Sequence, residues 1–552
     1  MPSTIQILVI LLVVIAAIAV LARRLKTPPS IFLVIAGVAL ALIPGLPTVE
    51  LAPDVVLLLV LPPLIYSSSV AMSWREFRFN LRPISLLAVG AVAFTTLATA
   101  AACHWLLGFP WAVGFVLGAI ISPPDAVAPL SIIRRLQVPR RIGVILEGEG
   151  LANDATALIL YRFAVAAVSV GSFSLGPALG EFAAIVVGEI AWGIAVGWIM
   201  LRLRRWVHDP RVEIILSILT PFIAYWPPQL LGGSGVLATV TAGLYISWNG
   251  LRLISAATRL QGIFFWDFLV YLTEGMVFLI TGLQARRLLA GIHDSMISEL
   301  ALSVVVVSAT VIVTRFVWMY PATYLPRWFI PSLRRKDPSP PWQWPFALAF
   351  VGVRGIVSLA AALAIPLTTA DGTAFQQRDL IIFLTFAVIL VTLVGQGLLM
   401  PFVMRWLGLA NAGRLERHAE RAEEFAARRH AIGKAIARLD ALAQERQLSA
   451  PVLDRLRERH NDRLRHVAHR GSDSQTHKKE IEIDDAIEFE LIRAERDAVN
   501  ELYRNGSLKD EARRRIEREL DLRDAHLRNL RELDEDLLED PDALHLADQA
   551  AR

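Results

Sequence analysis

Thirteen apolar stretches, each about 20 residues long, follow one another between residues 4 and 406, and this succession constrains the fold more than any other feature. A helix of that length crosses a hydrocarbon layer about 30 Å thick. The stretches lie at 4–22, 29–45, 51–70, 83–107, 111–133, 142–167, 177–201, 212–230, 233–249, 262–285, 298–323, 344–366 and 380–404. With 55% hydrophobic and only 19% charged residues among 552, the chain is too apolar for one soluble domain of its size. The expected class is an all-α polytopic membrane protein. No basic residue precedes the first stretch and no small-residue cleavage pattern follows it, so it reads as a retained span and not a signal peptide. Around stretches eight and nine, Pro227, Pro228, Gly232, Gly233 and Gly235 fit either a loop or a broken segment.

Past residue 410 the composition inverts. Residues 413–552 hold 28 of the 55 Lys and Arg and 33 of the 51 Asp and Glu. The expected organisation is therefore a transmembrane domain over 1–410 and a charged helical tail over 411–552. Mixed-charge helical stretches are expected at 414–438 and 511–531, with a break around 471–479. The tail carries 8 of the 11 His, a pattern that fits a solvated hairpin, a dimer contact or a pH-sensing module. The other three, His104, His208 and His293, lie near span ends and read as interfacial. A net charge of +4 is the small difference between a positive membrane part and a negative tail, and gives no sign of nucleic-acid binding. Cys103 is the only cysteine, so no intrachain disulfide forms. No Gly-x-x-x-x-Gly-Lys-Ser/Thr loop occurs, which argues against ATP-driven pumping, and no cofactor is expected.

Short loops rich in Lys and Arg stay cytoplasmic. One set of alternate loops carries 20 of these residues and the other carries 4. That asymmetry expects the N-terminus outside, the tail in the cytoplasm, and a bacterial plasma membrane around the spans.

A charge deep in a span costs at least about 2.5 kcal/mol, so each one is a candidate for function or for a structural pair. Asp125, Glu149, Asp154, Glu274, Arg315 and Arg354 stand out. In span six, Asp154 lies about 18 Å beyond the start of the apolar stretch, near mid-membrane. Glu147 shares its face, two turns below, and lines a cytoplasmic approach; Glu149 points elsewhere. Asn153 and Thr156 add neutral oxygens, a donor set that suits a hard cation such as Na⁺ at Asp154. Span five contains Pro123, Pro124 and Pro129 around Asp125 and is expected to unwind there. Unwound backbone at membrane depth belongs beside a cavity. Span twelve repeats the interruption with Gly352 and Gly355 about Arg354, which matches five with twelve and six with thirteen as two inverted repeats. Span thirteen offers Thr392, Gly395 and Gln396 but no acid, so Asp154 is expected to stand alone. Arg315 is expected to neutralise a buried acid, Glu149 first. Glu274 is left between structural glue and a group behind the cation's ligands.

These segments together resemble the bacterial sodium/proton exchangers of the monovalent cation:proton antiporter-1 family. The resemblance covers about residues 1–410 and rests on Leu-Pro-Pro-Leu-Ile-Tyr (61–66), Ser-Pro-Pro-Asp-Ala-Val-Ala (122–128), Glu-Gly-Glu-Gly-Leu-Ala-Asn-Asp-Ala (147–155), Val-Thr-Arg-Phe (313–316) and Gly-Val-Arg-Gly (352–355). It implies a dimerisation domain and hence a homodimer, a mobile core in which spans five and twelve cross, ion binding at Asn153 and Asp154, Asp125 in the crossing, and a Glu149–Arg315 pair. It also implies electroneutral exchange of one Na⁺ for one H⁺ across the lipid bilayer, which serves pH and sodium homeostasis. Gly150 stands where many relatives carry Ser, and Ser67 where many carry an acid. K⁺/H⁺ exchange is the alternative within transport; a membrane sensor signalling through the tail is the alternative outside it.

Overall fold

The computed structural model describes residues 4–25, 27–44, 52–170, 175–207, 209–250, 253–289, 297–369, 372–446, 449–470, 475–505 and 507–538. His208 and His293 fall outside these. The described chain is helical, and it divides into two compact units, Met1–Ala410 and Asn411–Arg552.

In the first unit every expected span has its helix: α1 Thr4–Arg24, α2 Pro29–Ala41, α3 Pro53–Ala71, α4 Leu81–Leu107, α5a Trp111–Ile121 with α5b Val127–Leu136, α6 Arg140–Val170, α7 Leu175–Arg204, α8 Pro210–Leu230, α9 Val236–Asn249, α10 Ala256–Leu283, α11 Ile297–Phe329, α12a Gln343–Phe350 with α12b Ile356–Leu363, and α13 Arg378–Trp406. Eight of these run long and apolar enough to cross a membrane unaided. The others are short (α2, α9), interrupted (α5, α12), or carry charge and internal prolines (α8, with Pro221, Pro227 and Pro228). Helices are the natural solution here, because a lipid-facing backbone must satisfy its own hydrogen bonds.

The Pro/Gly-rich stretch between α8 and α9 is a turn joining two helices, not a break within one. Gly235 adopts φ 73°, and a β-carbon there would strike the Tyr225 carbonyl, so the turn requires glycine.

Packing sorts the helices into two groups. α2 lies on α10 and α1, α7 on α9, and α3 on α9 and α8; separately, α4 lies on α5a and α11, α6 on α5a, and α12b on α13. Close approach is possible because small residues meet: a β-carbon on Gly282 would fall 2.8 Å from Gly37 Cα, which locks α10 against α2.

The second unit consists of α14 Leu409–Arg446, most of which lies in it, α15 Ala450–Arg470, α16 Gln475–Arg504 and α17 Asp510–Leu538. Of the break expected at 471–479, residues 475–479 are helical, and residues 471–474 lie outside the described residues. α16 and α17 pack together through buried Ile492, Val499 and Leu520, flanked by exposed pairs such as Arg496–Asp521 at 2.8 Å.

Candidate functional site

Two broken helices meet at the centre of the second helical group. α5 stops at Ile121 and restarts at Val127; α12 stops at Phe350 and restarts at Ile356. Breaking a helix orphans backbone groups, which must be answered when buried. Asp125 N–H donates to the Val353 carbonyl at 2.7 Å, stitching one break to the other. Arg354 Nη1 donates to the Ser122 carbonyl at 2.8 Å, and Arg354 N–H donates to Thr392 Oγ1 of α13 at 3.0 Å. Asn153 Nδ2 donates to the Pro124 carbonyl at 2.7 Å, and Arg315 Nε to the Leu348 carbonyl at 3.1 Å.

The signs of these contacts follow the helix dipole. Arg354 and Arg315 cover carbonyls at the C-terminal ends of the first half-helices, where positive charge is favoured. Asp125 sits at the opposite polarity: its Oδ1 accepts the Val127 N–H of α5b at 3.0 Å, and its carboxylate lies against Gly355, which opens α12b.

A cavity of about 120 Å³ opens beside the crossing. Pro123, Pro124, Asp125 and Gly355 form one wall; Glu147, Gly150, Leu151 and Asp154 line it from α6. That set spaces as one helical face, with Glu147 and Asp154 seven residues apart. Glu149 points away, as its offset requires, and receives Arg315 Nη1 and Nη2 at 2.6 and 2.8 Å. Both partners are buried, at 1% and 3% exposure. The bidentate geometry matters, because a buried pair with poor geometry would not recover its desolvation cost.

Asp154 makes no hydrogen bond or ion pair to any described residue, although it faces the cavity. Asn153 is fully buried; its amide locks the α5 break while its Oδ1 has no partner among the described residues. Thr156, two positions on and about 200° further round the helix, is buried but does not line the cavity. Its expected place among the ion's ligands finds no support in this geometry. Gly352 and Arg354 also lie behind the wall; a β-carbon on Gly352 would meet Arg315 Cδ at 2.5 Å, so this glycine makes room for the arginine stem. Glu147 faces the cavity and approaches Arg134 at 3.4 Å.

No residue of α13 lines the cavity, so Asp154 has no acid facing it from the matching span, as expected. Glu274 enters the same cavity from α10, and Ser68 and Ser358 contribute hydroxyls. An acid in an apolar span was the available signal for Glu274. The same signal marks Glu189, mid-span in α7 and 2% exposed, which was missed; it accepts Ser234 N–H at 2.5 Å, Gly235 N–H at 2.9 Å and Leu237 N–H at 3.0 Å, capping α9 from another helix.

A second cavity, of about 1040 Å³, lies among Leu107, Gln284, Arg287, Glu299, Gln377 and Arg378. Between the two cavities stands an apolar cluster. Its members Val56 and Ile356 face the first cavity, and Leu288, Leu359 and Leu363 face the second. His104 lies at a helix end, with Nδ1 2.8 Å from the Phe109 carbonyl and its ring stacked on Trp111.

Comparison with known proteins gives a consistent picture. The sequence model of the family described as "Sodium/hydrogen exchanger, transmembrane" matches residues 8–406. An uncharacterized Na⁺/H⁺ exchanger of Mycobacterium tuberculosis is 34% identical over 534 residues, covering 94% of this chain and 96% of its own. A sodium, potassium, lithium and rubidium/H⁺ antiporter of Bacillus subtilis is 33% identical over 369 residues, 64% of this chain and 54% of its own. In fold, the chain resembles the sodium proton antiporter MjNhaP1 of Methanocaldococcus jannaschii, with a TM-score of 0.58 at 19% identity, covering 73% of this chain and 98% of that one.

Proposed function

The chain belongs to the sodium/hydrogen exchanger family, and from that premise we propose that it exchanges Na⁺, and Li⁺ as the nearest analogue, for H⁺ at Asp154. The observation that carries this reading is a carboxylate on a cavity wall at mid-helix with no partner in the described protein. Glu149 is answered by Arg315, Asp125 by the Val127 N–H and the half-helix ends, and Arg354 by the Ser122 carbonyl; Glu274, on the opposing helix α10, is the other acid of the cavity without such a partner among the described residues. An unanswered carboxylate in a low-dielectric site attracts a proton or a small cation. Oxygen donors fit a hard ion: the Asp154 and Asp125 carboxylates share the cavity, and Asn153, held on the Pro124 carbonyl beside the crossing, has an Oδ1 without a partner among the described residues.

One carboxylate holds one H⁺ or one Na⁺, so the two alternate and exchange is electroneutral. The loaded site is neutral and crosses; the empty anion pays the cost of a bare charge in a low-dielectric path and stays. Rocking of one helical group against the other supplies alternating access. The arginine-rich loops support a plasma-membrane orientation with the tail in the cytoplasm, and the protein works as a homodimer in pH and sodium homeostasis.

Cation-driven dissipation of a pH gradient in proteoliposomes, with Asp154→Asn beside wild type, tests the proposal. Loss of exchange in the variant is expected; full exchange in the variant would remove Asp154 from the mechanism. A panel of Na⁺, Li⁺, K⁺ and Rb⁺ in the same assay decides the cation, and the potassium named for the Bacillus subtilis relative makes K⁺ the second candidate.

A further inference from the structure

Resting on the exchange at Asp154, we infer that Glu274 is a positioning residue for the transported ion: a carboxylate on the opposing helix whose charge, when it is ionised, sets how tightly Asp154 holds its cation and its proton. Glu274 and Phe278, one turn apart on α10, both face the cavity that Asp154 faces. Glu274 makes no hydrogen bond or ion pair to any described residue, so its charge is not spent on a structural partner. α10 belongs to the other helical group, held against α2 through the Gly37–Gly282 contact, so Glu274 views the site from a wall independent of the crossing.

The charged groups around it are few. Asp125 and Asp154 share the cavity, and Glu147 lies on its rim beside Arg134. The elements packed on α10, namely α1, α2, α3, α8, α12b and the short helix Ala285–Leu289, place no titratable side chain on the described lining. The cavity therefore presents carboxylates and no cationic side chain, an arrangement that attracts positive charge and repels anions.

When ionised, Glu274 strengthens H⁺ and Na⁺ binding at Asp154 by the same factor, since both are monovalent. That equality gives the inference a distinctive signature. At acidic pH, Na⁺ must displace a proton and the two gains cancel. At alkaline pH only the Na⁺ gain remains.

The experiment is the Na⁺ dependence of exchange in proteoliposomes at several pH values, for wild type, Glu274→Gln and Glu274→Asp. For Glu274→Gln, the apparent KM for Na⁺ is expected to rise about three- to tenfold at alkaline pH and to stay near wild type at acidic pH, with the half-maximal pH moving down by about half to one unit. Glu274→Asp, which keeps the charge, is expected to restore most of the wild-type profile. An unchanged profile in Glu274→Gln overturns the inference, as does a loss of maximal rate with equal KM changes at every pH, which marks a purely structural role. Exchange persisting in Asp154→Asn would instead overturn the underlying reading, so the two failures are separable.

Discussion

Asp125 and Gly355 touch without room for a β-carbon between them: one built on Gly355 falls 2.5 Å from Asp125 Cβ and 2.6 Å from its Cγ. Two broken helices can cross here only because one of them presents bare backbone. Gly355→Ala is expected to push the Asp125 carboxylate off the α5b terminus and to reduce exchange at least about tenfold, since overpacking typically costs about 1–3 kcal/mol. Flux in proteoliposomes checks this, with size-exclusion behaviour of the purified variant reporting that the fold survives.

The Glu149–Arg315 pair stabilises by mutual neutralisation. Removing one partner by Glu149→Gln or Arg315→Met is expected to cost about 3–5 kcal/mol, because it strands a buried charge. The double variant is expected to recover a substantial part of that loss. Thermal unfolding in detergent of the two singles and the double measures the coupling; strict additivity would contradict it.

Asp337, in the loop before α12a, gathers Arg82 at 3.0 Å, Arg141 at 2.8 Å and Arg327 at 2.7 Å, tying the ends of α4, α6 and α11. Burial pushes its carboxyl up, but the hydrogen bond and charge of Arg141, with Arg327 and Arg82, hold it below the usual carboxylate range. A lowered folded-state pKa means that the contribution is complete above the unfolded value of about 3.9 and fades only as pH falls through the lower folded value. Asp337→Asn is therefore expected to lower thermal stability equally at mildly acidic and alkaline pH. A deficit that grew with pH across that range would contradict the assignment.

Glu189 answers three backbone N–H groups at the start of α9 and also accepts from Ser234 Oγ at 3.1 Å. Glu189→Ala is expected to leave these donors unpaired, at about 1–3 kcal/mol for a buried orphan. Glu189→Gln keeps one acceptor oxygen and should lose less. Melting temperatures of the two variants, compared in one detergent, give the order.

Most of the architecture was legible because membrane burial writes itself into runs of apolar residues. The break in α5 followed from Pro123 and Pro124, and the separate faces of Asp154 and Glu149 from helical spacing. Direction across the bundle was not legible. Nothing in the sequence around Glu274 tells which cavity an acid in α10 meets. Gly150 stands where many relatives carry Ser; in the fold a β-carbon there would sit 2.8 Å from Ala126 Cβ, so glycine lets α6 press against the unwound segment. Local spacing fixes a helical face, whereas neighbours across the bundle come only from packing.

The aliphatic septum formed by Val56, Ile356 and Leu359 has an electrical consequence. Both chambers beside it exceed the roughly 15 Å³ that one water molecule needs, and water conducts a potential where hydrocarbon does not. Moving one elementary charge across the full membrane potential is worth about 2.3 kcal/mol for each 100 mV. Under the proposed electroneutral exchange the species that passes the septum carries no net charge, so the step is expected to be insensitive to voltage, whereas an empty carboxylate would feel it in full.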